Sequence, residues 1–193
     1  MQTVSIIGTA GRKKDLFSLD NNLYILMKNK SKEIIIEKLG LDPNKIILIS
    51  AGAAWSDHIV VDLFLEDFIK KAILHLPAKW DSINKKYIEN NDKYWDTGLT
   101  SNKLHYAFSN KTKKHSLNEI DQAIKKGIQI IDTYSNFHKR NTEVAKSDYL
   151  IAFTFSDDNQ PNDGGTQNTW IKCKSKNKIH ISINELNKNK NNL

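Results

Sequence analysis

The sequence predicts an α/β protein: a single Rossmann-like domain in which helices flank a mostly parallel, doubly wound sheet. Short apolar runs of strand length alternate with segments of helical apolar spacing, and this alternation is typical of βαβ units. Residues 148–155 form a nearly continuous β-branched and aromatic run, which indicates a strand buried on both faces. A length of 193 residues suits one domain with a substantial core, which we predict to occupy residues 1–183.

Three strands are predicted in the first part of the chain, at 4–7, 45–50 and 72–76, where β-branched residues and leucine cluster. Between them, apolar residues recur at helical spacing over 16–41 and 57–71, which predicts helical structure there. This order of strand, loop and helix favours parallel pairing, with the loops gathered at one rim of the sheet.

The later elements are less regular. Residues 80–115 are rich in Asn, Lys and aromatic residues, and we predict an irregular insertion there: a helix, then a long loop packed over the sheet edge or a ligand crevice. Ser116 and Glu119 have the spacing of a capping box, which predicts a helix ending at Gly127. The remaining predicted elements are a strand at 128–131, the central strand at 148–155, a helix from Thr166 and a last strand at 178–183.

Positive charge is concentrated near the C-terminus. The formal net charge is +7, and residues 172–193 contain six lysines and a single acidic residue, Glu185. The rest of the chain is therefore close to neutral, which argues against a broad basic face for nucleic acid. Residues 184–193 are rich in Asn and Lys and are predicted to form a flexible tail.

Cysteine usage and hydropathy indicate the compartment. Cys173 is the single cysteine, so no intramolecular disulfide can form, and no Cys/His cluster with zinc spacing accompanies it. The N-terminal residues lack the features of a signal peptide, and no apolar run approaches membrane-spanning length. We expect a cytoplasmic protein with no metal, no cofactor and no membrane partner. Related folds often dimerise, which leaves a homodimer open.

Three predicted loops at the carboxyl ends of strands are rich in glycine or other small residues. Ligands of open parallel sheets bind at that rim, so these loops predict a ligand crevice. Glycine lets a phosphate approach the backbone closely, and the N–H groups at the start of a helix attract anions. The predicted ligand- or phosphate-binding residues in these loops are Gly8, Gly11, Arg12, Gly52, Ala53, Gly164, Gly165 and Thr166.

Together with Arg140 and Asn141 ahead of the central strand, these motifs resemble the SLOG superfamily of Rossmann-like nucleotide-binding proteins. That superfamily includes the DprA DNA-processing proteins and the Lonely Guy phosphoribohydrolases. The resemblance spans residues 4 to about 183. It implies a pocket for a nucleotide or nucleoside phosphate, with an arginine at the position of Arg140 that holds the substrate. The matching segments are residues 6–8 with 11–12, 50–57, 140–141 with 147–152, and 164–166.

The chain departs from the phosphoribohydrolase pattern at one position. Those enzymes place a catalytic glutamate three residues after the Gly-Thr pair, where this chain has Thr169. A threonine cannot perform the acid–base or charge-stabilising work of a carboxylate, so that mechanism does not carry over unchanged. The candidate substitutes are the carboxylates of Asp57, Asp157, Asp158 and Asp163, with His58 and His138 as proton carriers.

These candidates also have ordinary structural interpretations, because Asp57 suits a helix N-cap and residues 157–163 suit a solvated turn. Three functions therefore stay open. The first is a nucleotide-binding or sensing module, which fits intact phosphate loops without the catalytic glutamate. The second is an enzyme that cleaves or transfers at the N-glycosidic bond of a nucleoside phosphate. The third is single-stranded nucleic-acid binding, as the resemblance to DprA implies, although the near-neutral body of the chain disfavours it.

Overall fold

The protein is described by a computed structural model that covers residues 1–90, 96–134 and 136–190. Its strands and helices alternate along most of the chain. The strands are β1 (Gln2–Gly8), β2 (Ile46–Ser50), β3 (Ala72–His75), β4 (Trp80–Asp81), β5 (Lys86–Tyr87), β6 (Gln129–Ile131), β7 (Tyr149–Thr154) and β8 (Lys178–Ser182).

The α-helices are α1 (Asp15–Ser18), α2 (Asn21–Glu33), α3 (Ile59–Leu65), α4 (Thr97–Thr112), α5 (Ser116–Lys126), α6 (Phe137–Val144), α7 (Gly164–Lys172) and α8 (Ile183–Lys190). A π-helical turn, Ile34–Lys38, continues α2, and a 3-10 turn, Trp55–His58, precedes α3. In the described part of the chain, no helix combines the length and the apolar character that crossing a membrane requires.

Six of the strands form one sheet in the order β6-β3-β2-β1-β7-β8, and every ladder in it is parallel. The predicted α/β fold with a parallel sheet is therefore confirmed. The chain builds outward from β1 in one direction through β2, β3 and β6, and in the other through β7 and β8. The point where the order reverses, next to β1, is where open α/β sheets bind ligands.

The core lies on both faces of the sheet. Val4 and Ile6 of β1 pack into the larger hydrophobic cluster, and Ile7 packs into a smaller cluster on the opposite face. Alternate residues of a strand point to opposite faces, so covering both faces requires apolar residues at consecutive positions. This is why the run at 148–155 has no polar alternation, and the prediction of a central buried strand there is confirmed.

The region 80–115 differs from the prediction of a helix followed by a loop. It begins with the antiparallel hairpin of β4 and β5, and the helix α4 comes second. The side chain of Asp96 caps α4 by accepting from the backbone N–H of Leu99 at 2.9 Å. The residue types that form turns also form N-caps, so the sequence signal is ambiguous.

Two further predictions are corrected. Ser116 does not form a capping box, because its hydroxyl contacts Ser109 and His105 and the Glu119 side chain points elsewhere. The segment predicted to be a flexible tail is helical through Lys190. Its first residue, Ile183, is fully buried in the core, which anchors the helix. Residues 191–193 lie outside the described part of the chain.

Candidate functional site

A cleft of about 660 Å³ opens at the carboxyl-terminal rim of the sheet, beside β1. Its walls come from the loops after β1 and β2, from the first turns of α6 and α7, and from one side of α4. The predicted site residues that line it are Gly8, Arg12, Ala53, Asp57, His138, Arg140, Asn141, Asp163, Gly164, Gly165 and Thr166. Segments far apart in sequence therefore meet in one cavity.

Two predicted glycines do not line the cleft. Gly11 has φ +74°, and a Cβ there would lie 2.4 Å from the indole nitrogen of Trp55, so glycine is needed for packing onto that ring. Gly52 has φ +65° and is buried, and its carbonyl accepts from Tyr87 Oη and from His105 Nε2. Both glycines are therefore required by packing within the loops and not by the cleft surface. The prediction that they contact a ligand is corrected to a role in loop packing.

Asp157 and Asp158 also lie outside the cleft. Asp157 accepts hydrogen bonds from Ser182 and Asn184, each at 3.0 Å, which directs it toward β8. Asp158 accepts from Ser156 at 3.3 Å within its own turn. These contacts match the interpretation of both carboxylates as turn residues, so neither replaces the missing glutamate.

His58 faces away from the cleft, so its predicted part in this site is corrected. Its Nε2 lies 2.8 Å from Glu119 Oε2, on the side of the sheet covered by α5. His58, Asp62 and Glu119 offer ligand atoms within 4.8 Å of one another, which is a spacing that a metal ion can use. However, the ammonium of Lys114 lies 3.2 Å from Asp62 and 2.9 Å from Glu119 and already supplies the positive charge.

A continuous chain of hydrogen bonds runs along the floor of the cleft. It begins at the carbonyl of Gly165, which accepts from Asn141 Nδ2 at 3.3 Å, while Asn141 Oδ1 accepts from Arg140 Nη2 at 2.9 Å. Arg140 Nη1 donates to the carbonyl of Ala51 at 3.1 Å, and the N–H of Ala51 donates to Asp57 Oδ1 at 3.0 Å. The start of α7, α6 and the loop after β2 are therefore held in a fixed relation.

Arg140 is the central side chain of this floor. It is 7% exposed, and its Nε has no hydrogen-bond partner among the described residues. Burial lowers the pKa of its guanidinium to about 10, with the nearby charge of Arg12 adding to the effect and Asp57 opposing it. A buried donor without a partner is costly, and the guanidinium is suited to planar oxyanions.

Asp57 forms the other end of the floor. Its side chain is buried, and its Oδ2 makes no hydrogen bond within the described residues. Burial raises the pKa of this carboxyl to about 6, although Arg140, the Ala51 N–H and His58 pull it down. A carboxyl with this pKa can accept or release a proton near neutral pH. Asp57 lines the cleft, and it lies inside the 3-10 turn, whose N-cap position is Ala54, so Asp57 is not an N-cap.

The loop after β1 and the start of α7 are joined directly. Thr166 Oγ1 donates to the carbonyl of Gly8 at 2.9 Å. A Cβ at Gly8 would lie 2.2 Å from the carbonyl oxygen of Phe153, so glycine permits the close approach of β1 to β7. The first N–H groups of α7 have no acceptor within the helix, and they face this junction. Around Gly164 there is open space for a ligand.

Thr169, at the position of the phosphoribohydrolase glutamate, contributes nothing to the cavity. Its hydroxyl donates to the carbonyl of Gly165 at 3.0 Å, and the residue is 3% exposed. The side chain thus stabilises the first turn of α7 and is sealed from solvent. Within the cleft, Asp57 is the carboxylate buried deepest.

Several lining residues were not predicted. Phe137 and Leu104 supply apolar surface, and Lys13 and Lys14 add positive charge beside Arg12. The two lysines carry a signal in sequence, because they follow Arg12 directly after the predicted phosphate turn. Leu104 lies on α4, where the prediction placed a loop, so its contribution depended on an element that was assigned incorrectly.

A second depression, of about 1030 Å³, lies at the opposite end of the sheet. It is shallow and open, and exposed side chains such as Gln2, Lys45 and Asp148 border it. The amino ends of parallel strands are not where such sheets bind ligands. The cleft at the carboxyl ends is therefore the stronger candidate.

Comparison with known proteins places this architecture in a family. An uncharacterised protein of Acanthamoeba polyphaga mimivirus is 36% identical over 184 residues, which cover 93% of this chain and 95% of the viral protein. The chain belongs to the family of this viral protein. The match extends over nearly the whole length of both chains, so the family shares the domain and not one isolated motif. No protein-family model matches the chain.

Proposed function

We propose that the cleft binds a nucleotide or nucleoside phosphate and that the protein acts as a binding or sensing module. The observation that carries this proposal is the buried guanidinium of Arg140, which has an unpartnered Nε beside the open start of α7. Among the described residues, no carboxylate hydrogen-bonds to this buried charge, and a bound anion would offset the cost of keeping it from water.

The phosphate end of the site is the start of α7. The backbone N–H groups of Gly164, Gly165 and Thr166 belong to the first turn, where the helix dipole favours negative charge. Asn141 joins this turn to Arg140, so the helix start and the guanidinium can contact the same anion. This combination explains why two glycines and an arginine converge on one rim.

The nucleoside end has both apolar and polar groups. Leu104, Ala53 and Ala54 provide apolar surface against which a base can pack. The open oxygen of Asp57 can accept a hydrogen bond from a ribose hydroxyl or a base amino group. The resemblance of these loops to the SLOG superfamily agrees with a nucleotide ligand.

A thermal-shift screen against a panel of ribonucleotides tests the proposal. A ligand that binds the native state alone raises the melting temperature, so at least one nucleotide is expected to stabilise the protein. Arg140→Ala and Gly165→Asp are expected to lose that stabilisation. A Cβ at Gly165 meets only Asn141 Nδ2, at 3.5 Å, so the aspartate fits the fold while its charge repels phosphate.

Two matched controls separate charge from shape. Gly165→Asn has nearly the same volume as the aspartate without its charge and is expected to retain most of the shift. Lys139→Ala removes a cation from the same helix as Arg140, outside the cleft, and is expected to behave as the native protein. A screen with no shift for any nucleotide, or full binding by both Arg140→Ala and Gly165→Asp, contradicts the proposal.

A second candidate function is hydrolysis or transfer at the N-glycosidic bond of a nucleoside phosphate. The specific observation in its favour is Asp57, a buried carboxylate at the opposite end of the floor from the phosphate-binding turn, with its pKa raised to about 6. Such a group can stabilise positive charge that develops on a ribose. Release of free base from a nucleoside phosphate, lost in Asp57→Asn, supports this function, and no release from any nucleotide that binds excludes it.

A further inference from the structure

Two arginines from different elements share one aromatic ring in the cleft. The guanidinium carbon of Arg12 lies 5.4 Å from the centroid of the Phe137 ring, and that of Arg140 lies 4.9 Å from the same centroid. Both distances are within the range of cation–π attraction. The ring therefore holds two like charges in one neighbourhood, although Coulomb repulsion opposes that arrangement.

No carboxylate in the described residues forms an ion pair with either guanidinium. Arg140 uses its two terminal nitrogens on the Ala51 carbonyl and the Asn141 amide oxygen. Three carboxylates line the cleft, those of Asp15, Asp57 and Asp163, but none hydrogen-bonds to Arg12 or Arg140. Asp57 acts on Arg140 only through space. A pair of arginines that forms no ion pair with any described carboxylate is an arrangement expected where an external anion binds.

The loop that carries Arg12 brings further positive charge to the cleft. Lys13 has φ +51°, an uncommon conformation for a residue other than glycine. Arg12, Lys13 and Lys14 all line the cleft, so three consecutive cations face it from the loop after β1. Backbone strain of this kind persists where the surroundings or a function require it.

The arginine pair lies next to the start of α7 and is distinct from it. The Asn141 side chain connects them, accepting from Arg140 at 2.9 Å and donating to the Gly165 carbonyl at 3.3 Å. One phosphate at the helix start leaves Arg12 without a partner, whereas a second phosphate bonded to the first can reach it. Adjacent sites of this kind match a chain of phosphates.

We infer that the ligand carries a diphosphate group, with one phosphate on the first turn of α7 and the other between the guanidinium groups of Arg12 and Arg140, which both contact the Phe137 ring. The chemical class is a nucleoside diphosphate group, either terminal or inside a dinucleotide. This inference rests on the proposed function. It adds the number of phosphate groups, which the proposed function does not specify.

Calorimetric titration with matched monophosphates and diphosphates of each common base tests the inference. For at least one base, the diphosphate is expected to bind at least tenfold more tightly than the monophosphate, which corresponds to about 1.4 kcal/mol. Arg12→Gln is expected to remove that difference, with monophosphate affinity changed less than about twofold. Gly165→Asp is expected to weaken both ligands. NAD as a third ligand distinguishes a diphosphate inside a dinucleotide from a terminal one.

Two further variants provide a second test and a control for the role of the arginine pair. Phe137→Leu removes the shared ring and is expected to lose the same preference for diphosphate. Lys139→Gln removes one exposed cation outside the cleft and is expected to keep it. Equal affinity for monophosphate and diphosphate, or a parallel loss of both in Arg12→Gln, overturns this inference and leaves the proposed function standing. Failure of every nucleotide to bind overturns both.

Discussion

Asp57 and His58 are neighbours in one 3-10 turn, yet they belong to two different charged regions. Asp57 faces the cleft, whereas His58 faces an ion cluster that we define as His58, Asp62, Lys114 and Glu119. Both regions hold charge in places that water reaches poorly. They differ in whether the protein itself supplies the opposite charge.

The members of the ion cluster contact one another directly, and Lys28 also lies 3.6 Å from Asp62. Glu119 contacts His58 at 2.8 Å and Lys114 at 2.9 Å, and Lys114 also contacts Asp62. Partial burial alone would raise the pKa of Glu119, but the hydrogen bonds and charges of His58 and Lys114 outweigh it and lower the pKa to about 2. The charged form of Glu119 is therefore stabilised by folding.

The cleft has the opposite property. Burial raises the pKa of Asp57 to about 6 and lowers that of Arg140 to about 10, so folding disfavours the charged form of each. The cleft therefore carries a cost that Glu119 in the ion cluster does not. Sites that bind or transform ligands commonly show such unfavourable charges, because the ligand supplies the compensating charges or hydrogen bonds.

The largest expected effect comes from opening the ion cluster. Glu119→Gln removes the charge of the carboxylate that contacts both Lys114 and His58, and it is expected to lower the free energy of unfolding by about 3 kcal/mol at neutral pH. Because the folded pKa of Glu119 lies below its ordinary value of 4.5, its contribution is present above that pH and is lost as pH falls toward 2. Chemical denaturation at several pH values measures both effects.

A matched control is Glu33→Gln, which removes a carboxylate paired with Lys30 on an exposed helix face. It is expected to change the free energy of unfolding by less than about 0.5 kcal/mol. A loss in Glu119→Gln no larger than in this control, or one that does not shrink in acid, would show that the cluster is not a stabilising unit.

The second largest expected effect on the free energy of unfolding is an increase. Asp57→Asn removes a buried charge while keeping an oxygen for the Ala51 N–H, so it is expected to stabilise the protein by roughly 2 kcal/mol at neutral pH. The folded pKa is raised, so native stability falls as pH rises from 3.8, the ordinary value, to about 6. The advantage of the variant should therefore vanish below that window.

Denaturation of Asp163→Asn provides the control, since Asp163 also lines the cleft but is exposed and has no capping hydrogen bond. We expect a change under about 0.5 kcal/mol there. If Asp57→Asn destabilised the protein at neutral pH, the carboxylate would be a structural group, and the contrast between the two regions would fail.

The sequence predicted the parts of the fold that depend on local pattern. The buried runs at 4–7 and 148–155 became β1 and β7, since strands covered on both faces have no polar alternation to confuse the signal. The convergence of the loops after β1 and β2 with the start of α7 followed from parallel topology alone. Neither step required any knowledge of side-chain contacts.

Side-chain direction was not predictable in the same way. Asp57 and His58 are adjacent and equally polar, and a short 3-10 turn has no periodicity that tells which one faces a cavity. Gly11 and Gly52 are glycines like Gly8, but for a different reason. A Cβ at Gly11 would collide with Trp55 and one at Gly52 with Leu76, both of which are distant in sequence. Such long-range packing leaves no trace in local sequence.

The smallest expected effect lies at the junction between the loop after β1 and the start of α7. Thr166→Val removes a hydroxyl that donates to the Gly8 carbonyl, without changing side-chain shape. A neutral hydrogen bond contributes about 1 kcal/mol, so the free energy of unfolding should fall by that amount. Nucleotide affinity should fall with it, because the loop after β1 is no longer tied to α7. Thr133→Val, at an exposed threonine that makes no hydrogen bond within the described residues, serves as the control. If Thr166→Val matched that control in both stability and affinity, the two loops would not act as one site, and the cleft would lose the rigid geometry that separates it from an ordinary surface groove.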